Sequence, residues 1–340
     1  MVSLVCLRAN SALKIFTVGL AATLLHGCGM IYKTTGDVLV GFGRAEMVPY
    51  MMSDNDSRIA CAAGEAQTPL LLSFQRVGSH PDKLAVLMYV TAASCTDALA
   101  TEEELRYMRA VKQGNVSEAQ DARISQKRYA AISATRQHEA YRRMITAYEP
   151  KGEECPKLKS EFDQLVWLIG NLAGAQALLN DGVSDGIVGV PRDIAAKVER
   201  GAACVNNDEW WGAPRGVRAS IWSLLPMLAP KNAKPWAELE ASADKGFKSG
   251  VRLGSAMYAL AAYSKGDDAR LRKAIRGYAA NGDNINPEYR MIDIIAGSMI
   301  QGISDKMWTE ATGKRTPLSG LGTFWDDAKN APKVNIDDLL

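Results

Sequence analysis

Apolar residues recur at steps of three and four along most of this chain, the spacing of one face of an α-helix. Ile59, Ala63, Ala66, Leu70, Phe74 and Val77 form the first such stripe. The run Gly78-Ser79-His80-Pro81 ends it, and Pro81 suits the first turn of the next helix. Residues 84–95 are apolar on every side, which predicts a buried, central helix. Thr101-Glu102-Glu103-Glu104 has the form of a capping box, restarting the helix or capping a kink. Gly114-Asn115 predicts a turn, and the polar-rich stretch 116–148 predicts a long outer helix with Glu139 placed to pair with Arg142 and Arg143.

Pro156 opens the next unit, with a stripe of Leu158, Phe162, Leu165, Ile169, Leu172 and Leu179. Gly170 and Gly174 lie one turn apart, where a neighbouring helix could approach closely. A loop over 182–191, a helix over 191–205 and a loop over 206–214 follow. Further helices are predicted at about 215–229, 233–247, 250–265, 267–281 and 286–304, with turns at Lys265-Gly266-Asp267 and Asn281-Gly282-Asp283. No stretch alternates with period two for the length of a convincing strand. The fold class expected is therefore all-α: stacked antiparallel helical hairpins in an α-solenoid or tetratricopeptide-like bundle. No strict repeat is present; Trp167, Gly170 and Ala173, or Leu253, Gly254 and Tyr258, only echo the tetratricopeptide pattern. The helical domain is placed at 54–312, with 313–340 as an extended C-terminal tail.

The first 53 residues read differently. Arg8 and Lys14 give a basic start, and residues 15–25 run apolar for eleven positions, the length of a signal-peptide core. A bilayer-spanning helix needs about 20. Leu25-His26-Gly27-Cys28 follows directly. It resembles the lipobox of bacterial lipoproteins, departing from it at His26, where a small residue is usual. That resemblance implies cleavage after residue 27, acylation of Cys28 and anchoring in a membrane through several acyl chains. Gly29, which is not an aspartate, implies the outer membrane. Residues 28–53, with glycines at 36, 41 and 43 and Pro49, are expected to be a lipidated tether with at most a short helix. No second long apolar run suggests a transmembrane helix.

Loss of the leader takes Lys+Arg from 40 to 38, equal to the 38 Asp+Glu, so the mature chain is formally neutral. Such a balance offers no nucleic-acid surface. Cleavage and acylation also leave four cysteines, Cys61, Cys95, Cys155 and Cys204, at spacings of 34, 60 and 49. These match no zinc or redox motif. In an oxidising periplasm they suggest up to two disulfides with three possible connectivities. Cys61–Cys95 and Cys155–Cys204, each within one hairpin, is the expected pairing; buried free thiols are the alternative.

Chemistry is sparse. The mature chain has two histidines, His80 in a predicted turn and His138 on a polar helix. Zinc-protease, nucleophile-elbow and phosphate-loop motifs are missing from the sequence. Clustered carboxylates such as Glu153-Glu154 and Asp208-Glu209 sit at helix starts, where the dipole favours them. No enzyme, metal or cofactor is expected. Gln176 falls on an apolar stripe and needs a partner or a wet cavity. Trp222 and Trp236 lie in predicted helices, whereas Trp210-Trp211 lie in a loop, as a contact surface or a lid. The candidate ligand contacts are Trp167, Asn171, Gln176, Trp210, Trp211, Trp222 and Tyr258.

Within 56–92, the run Pro69-Leu70-Leu71-Leu72, then Pro81-Asp82, then the small-residue-rich apolar segment from Leu84 to Ala92, resembles the opening of the T component of tetratricopeptide-associated TRAP transporters. The likeness covers about a fifth of the chain, and the Trp-rich 210–236 region departs from it. It implies a periplasmic helical lipoprotein, working beside a binding protein or another transporter component, that binds or transfers a hydrophobic small molecule such as a lipid, a sterol-like compound or an organic acid. The alternative is a scaffold whose concave helical surface holds another protein and no small ligand.

Overall fold

The computed structural model describes residues 29–327; the expected leader and the candidate lipidation site Cys28 lie outside the described residues. Helix α1 (29–42) runs through a π-helical stretch, Gly43–Met47, into α2 (Val48–Ser53). Then come α3 (Ser57–Ser73), α4 (Asp82–Lys112), α5 (Val116–Tyr148), α6 (Glu161–Val183), α7 (Ile194–Ala202) and α8 (Ala213–Leu224). Helices α9 (Pro235–Ser249), α10 (Leu253–Lys265), α11 (Asp268–Ala280) and α12 (Arg290–Thr312) complete the set. No strand occurs among the described residues. The all-α stack of hairpins is what the periodicity predicts.

Short turns set the hairpins. Asn115 accepts from the Glu118 N–H to start α5, and Asp267 accepts from the Arg270 N–H to start α11, the N-cap pairing that satisfies an otherwise orphan amide. Gly250 (φ 75°) and Gly266 (φ 66°) end α9 and α10 in the left-handed conformation that glycine adopts without a steric cost. Helix α4 is the hub, packed by α3, α5, α6 and α12. Alone among the described helices it is long and apolar enough to cross a bilayer, yet over half of that apolar window is buried inside the protein. It is a core helix. Helix α12 returns to pack on α4, α10 and α2, so the stack closes on itself.

Four local expectations change. Helix α4 runs unbroken through Thr101–Glu104, because those carboxylates face cations from elsewhere: Lys306 meets Glu104 at 2.7 Å and Arg315 grips Glu102. Helix α5 is not an outer helix but is sandwiched between α4 and α6, burying Ala122, Ala130, Ala134 and Ala140 beside Gln126, Ser133 and Gln137. The tether expected over 28–53 is helical from residue 29, with Val48, Met51 and Met52 in the core. The tail expected beyond 313 folds back as far as Asp327. Phe324 is buried, Arg272 lies over the rings of Phe324 and Trp325, and Arg272 and Arg276 pair with Asp326 and Asp327 at 2.7 and 2.6 Å.

Both pairs of cysteines are bonded as the hairpin spacing suggests. Cys61 joins Cys95 between α3 and α4, and Cys155 joins Cys204, with Cα atoms 5.5 and 5.4 Å apart.

Candidate functional site

A half-open concavity of about 440 Å³ lies where the C-terminal end of α5, the 149–160 segment, α6 and α7 meet. Each wall is held by identifiable chemistry. Gly170 and Gly174 let α5 come close, since a Cβ at either would collide with Met144 or Tyr141; this is the approach their spacing predicts. The Cys155–Cys204 disulfide ties the 149–160 segment to the end of α7. Ser160 accepts from the Asp163 N–H at 3.2 Å and starts α6.

Trp167 and Asn171, one turn apart on α6, form the floor. The Trp167 Nε1–H donates to the Gly201 carbonyl at 2.8 Å, and Tyr148 stands edge-on to its ring at 5.8 Å. Asn171 Nδ2 donates to the Trp167 carbonyl at 2.8 Å and touches Met144 Sδ at 3.6 Å. Its Oδ1 is aimed at Gly201, where any Cβ would strike it. Tyr141 and Ile145 add apolar wall. Burial pushes the Tyr141 phenol up to about 12, with Asp193 raising it further and Arg200 opposing. It stays a neutral donor at any ordinary pH.

The rim carries charge. Arg142 comes from α5, and Lys197 and Arg200 come from one face of α7. Arg200 Nε lies 3.4 Å from Glu153, Lys197 pairs with Asp193 at 2.8 Å, and Arg142 pairs with Glu139 at 2.5 Å. The Arg200–Glu153 and Lys197–Asp193 pairs are largely solvated, so an incoming anion could exchange for those carboxylates at little cost. A greasy floor with a polar amide and a basic rim suits one apolar body with one acidic head.

Of the sequence-chosen contacts, only Trp167 and Asn171 line this concavity. Gln176 is half-buried further along α6. Trp210 and Trp211 are neither lid nor contact surface: they are 3% and 4% exposed. Asn206 and Asn207 turn the loop by capping its own N–H groups, leaving the indoles to face inward. There they pack on each other and on Tyr289, with centroids 5.2, 6.0 and 4.6 Å apart, and Trp210 Nε1–H donates to Gln164 at 2.7 Å. Trp222 is buried on α8 and donates to Glu199 at 3.2 Å. Tyr258 is buried on α10, donating to Glu240 at 2.9 Å beside Trp236. The seven positions do not form one site. The basic rim escapes sequence reading because its three cations are dispersed over two helices; the signal available is the cysteine pair flanking it.

His80 is exposed in its turn. His138 is half-buried, and burial together with Arg142 holds its imidazole below the ordinary value, hence neutral at pH 7. Among the described residues no group of three or more His, Cys, Asp or Glu is placed to hold a metal ion. A second concavity, a shallow groove of about 510 Å³ between the end of α4 and the start of α5, is lined by Tyr107, Val111, Val116 and Ile124, with Arg123 and Lys127 beside them.

No family model, curated protein or solved structure matches the chain.

Proposed function

We propose that this protein is a lipid-anchored periplasmic binding protein that takes a single-chain organic acid in the α5–α6–α7 concavity and serves a transport system. The observation that carries the reading is the pairing of the Trp167–Asn171–Tyr141 floor with the Arg142, Lys197 and Arg200 rim. The volume falls in the range of small-molecule sites, about 300–1,000 Å³. The lipobox-like Cys28, the two disulfides and the resemblance of residues 56–92 to a transporter-associated lipoprotein support the setting. Acyl tail contacts would lie on Trp167 and Ile145, and the carboxylate would exchange for Glu153 on Arg200.

The test is native mass spectrometry of the mature protein after exposure to total membrane lipid, with extraction and identification of any bound species. A stoichiometric acidic amphiphile, lost when Lys197 and Arg200 are both replaced by Ala, supports the proposal. An apo mass across all lipid concentrations refutes it.

One observation favours the scaffold reading instead. Val111, Val116 and Ile124 are 50–67% exposed along the α4–α5 groove, an apolar surface of the kind that receives a partner helix. A variant with Ile124→Asp that keeps its bound lipid but loses a transporter partner would assign the groove to protein contact.

A further inference from the structure

Helix α1 turns an uncharged, apolar face away from the protein. Its inner side is fixed by contact: Gly36 lies against Phe74, and Gly43 against Leu84. Three of the four charges between residues 29 and 47 are directed along the body, and the fourth, Glu46, is exposed beyond the C-terminal end of the stripe. Lys33 pairs with Asp37 at 2.5 Å and passes beside Gly78, while Arg44 donates to Ser160 Oγ at 3.1 Å and lies over the Phe162 ring. The outward side carries Ile31, Thr34, Thr35, Val38, Phe42 and Ala45, residues spaced three, four and seven apart. Ile31, Val38 and Phe42 are 64%, 63% and 57% exposed, with Met30 at 72% beside them. Scattered exposed apolar residues need no explanation, but a continuous stripe on one helix does.

What covers it follows from how close it lies to Cys28 in the sequence. Residue 29 directly follows Cys28, the position the lipobox resemblance acylates. A helix of fourteen residues is about 21 Å long. Ile31, Val38 and Phe42 therefore lie within about 21 Å of residue 29, the neighbour of the position that would carry the acyl chains. A helix whose inner side is packed on the protein and whose outer side is apolar, held at that distance, can lie in the headgroup region with its apolar side down.

We infer that α1 is an interfacial helix: its Ile31–Val38–Phe42 face seats in the phospholipid leaflet that holds the anchor, so the protein body lies against the membrane and does not swing on a flexible tether. The inference rests on the lipid-anchor reading, and the experiment separates the two. The full chain, carrying Val38→Cys or Phe42→Cys labelled with an environment-sensitive fluorophore, is purified from membranes and reconstituted in vesicles of phosphatidylethanolamine and phosphatidylglycerol. Met227→Cys, 79% exposed far along the chain, is the comparator. Intact mass gives the acylation state of Cys28. The expected result is a blue shift at 38 and 42, loss of quenching by aqueous iodide and gain of quenching by brominated lipid, with position 227 still quenched by iodide. An acylated protein that floats with the vesicles while 38 and 42 stay open to iodide overturns the inference and leaves the anchor standing. An unacylated chain that remains in the aqueous fraction overturns both. An unacylated chain that floats with 38 and 42 shielded supports the interfacial helix and removes the anchor.

Discussion

Replacing Asp293 with Ala strands a guanidinium whose donors are nearly all engaged. Arg252 Nε and Nη2 donate to Asp293 at 2.9 and 2.5 Å, and the Arg252 backbone N–H donates to the same carboxylate at 2.9 Å. Nη1 donates to the Tyr278 carbonyl and Nη2 to the Tyr278 hydroxyl, both at 2.9 Å, while Cζ sits 3.8 Å above the Tyr278 ring. The two charged side chains are 9% and 3% exposed, so water replaces little of what is lost. Breaking one side of such a pair costs about 3–5 kcal/mol, because an uncompensated charge is left inside. At about 2–4 °C per kcal/mol for a chain of this order, Asp293→Ala should lower Tm by roughly 6–20 °C. Arg252→Met should cost a similar amount, for the mirror reason. Replacing both together, Arg252→Met with Asp293→Ala, removes the desolvated charges as well as their attraction, so the double should cost far less than the two singles summed. The assay is urea and thermal unfolding of all four proteins, followed by far-ultraviolet circular dichroism. Strong coupling between the two single changes is expected. A double variant that loses as much as the two singles summed would refute the reasoning, since the pair would then be holding packing and not charge.

Two further outcomes follow from other contacts. Asp97 accepts from Gln137 and Asn180, both at 2.9 Å, but burial still pushes its carboxyl up to about 6, with Arg136 and the hydrogen bonds opposing. A carboxyl raised above its ordinary value favours the fold fully below about pH 4, and that contribution is lost as pH rises through about 6. The stability of Asp97→Asn relative to the wild type should therefore rise across that window by on the order of 2–3 kcal/mol, on top of a pH-independent loss because one amide donor then faces the Asn NH2; a difference that stays flat with pH argues against it. Replacing Cys155 and Cys204 by Ser releases a 49-residue loop, worth about 4 kcal/mol by chain entropy, and frees the Glu153 wall of the concavity. Both Tm and retention of a bound acid should fall; an unchanged Tm would show that the bond constrains nothing in the unfolded chain.

Helix α5 shows where sequence legibility stops. Its inward residues keep the three-four spacing, but they are alanines with Gln126, Ser133 and Gln137 among them, so hydropathy marks the whole helix as solvent-facing. The interface is closed by small size and by hydrogen bonds that cross helices: Ser133 to Thr96 at 2.7 Å, Gln137 to Asp97, and Asn180 to Gln137 at 2.8 Å. Such partners become visible only in three dimensions. Gly170 and Gly174, by contrast, announce a close approach wherever they occur on a helix face, and the cysteines fall into hairpins that the turn signals already delimit. Trp210 and Trp211 are buried although they lie in a loop, the setting from which exposure is expected. Here the side chains of Asn206 and Asn207 satisfy the turn itself.

Helix α1 and the concavity are joined by a run of contacts, and this would constrain how a bound ligand is presented. Arg44, in the π-helical stretch that continues α1, donates to Ser160, the residue that caps α6. Asp163, in the first turn of α6, takes a hydrogen bond from Tyr148 at 3.0 Å and pairs with Lys83 at 2.7 Å. Tyr148 in turn packs edge-on against Trp167 on the floor. Burial raises the Asp163 carboxyl, but Lys83, Tyr148 and Ser160 together hold it below its ordinary value, so these contacts stay charged and short at neutral pH. With α1 seated in a leaflet, that chain of contacts would fix the mouth of the concavity at one height and angle above the membrane. A flexible tether would let the mouth sample all orientations and would suit capture from solution. A fixed mouth suits handing a ligand across one defined surface, which is what a protein working beside a membrane transporter needs.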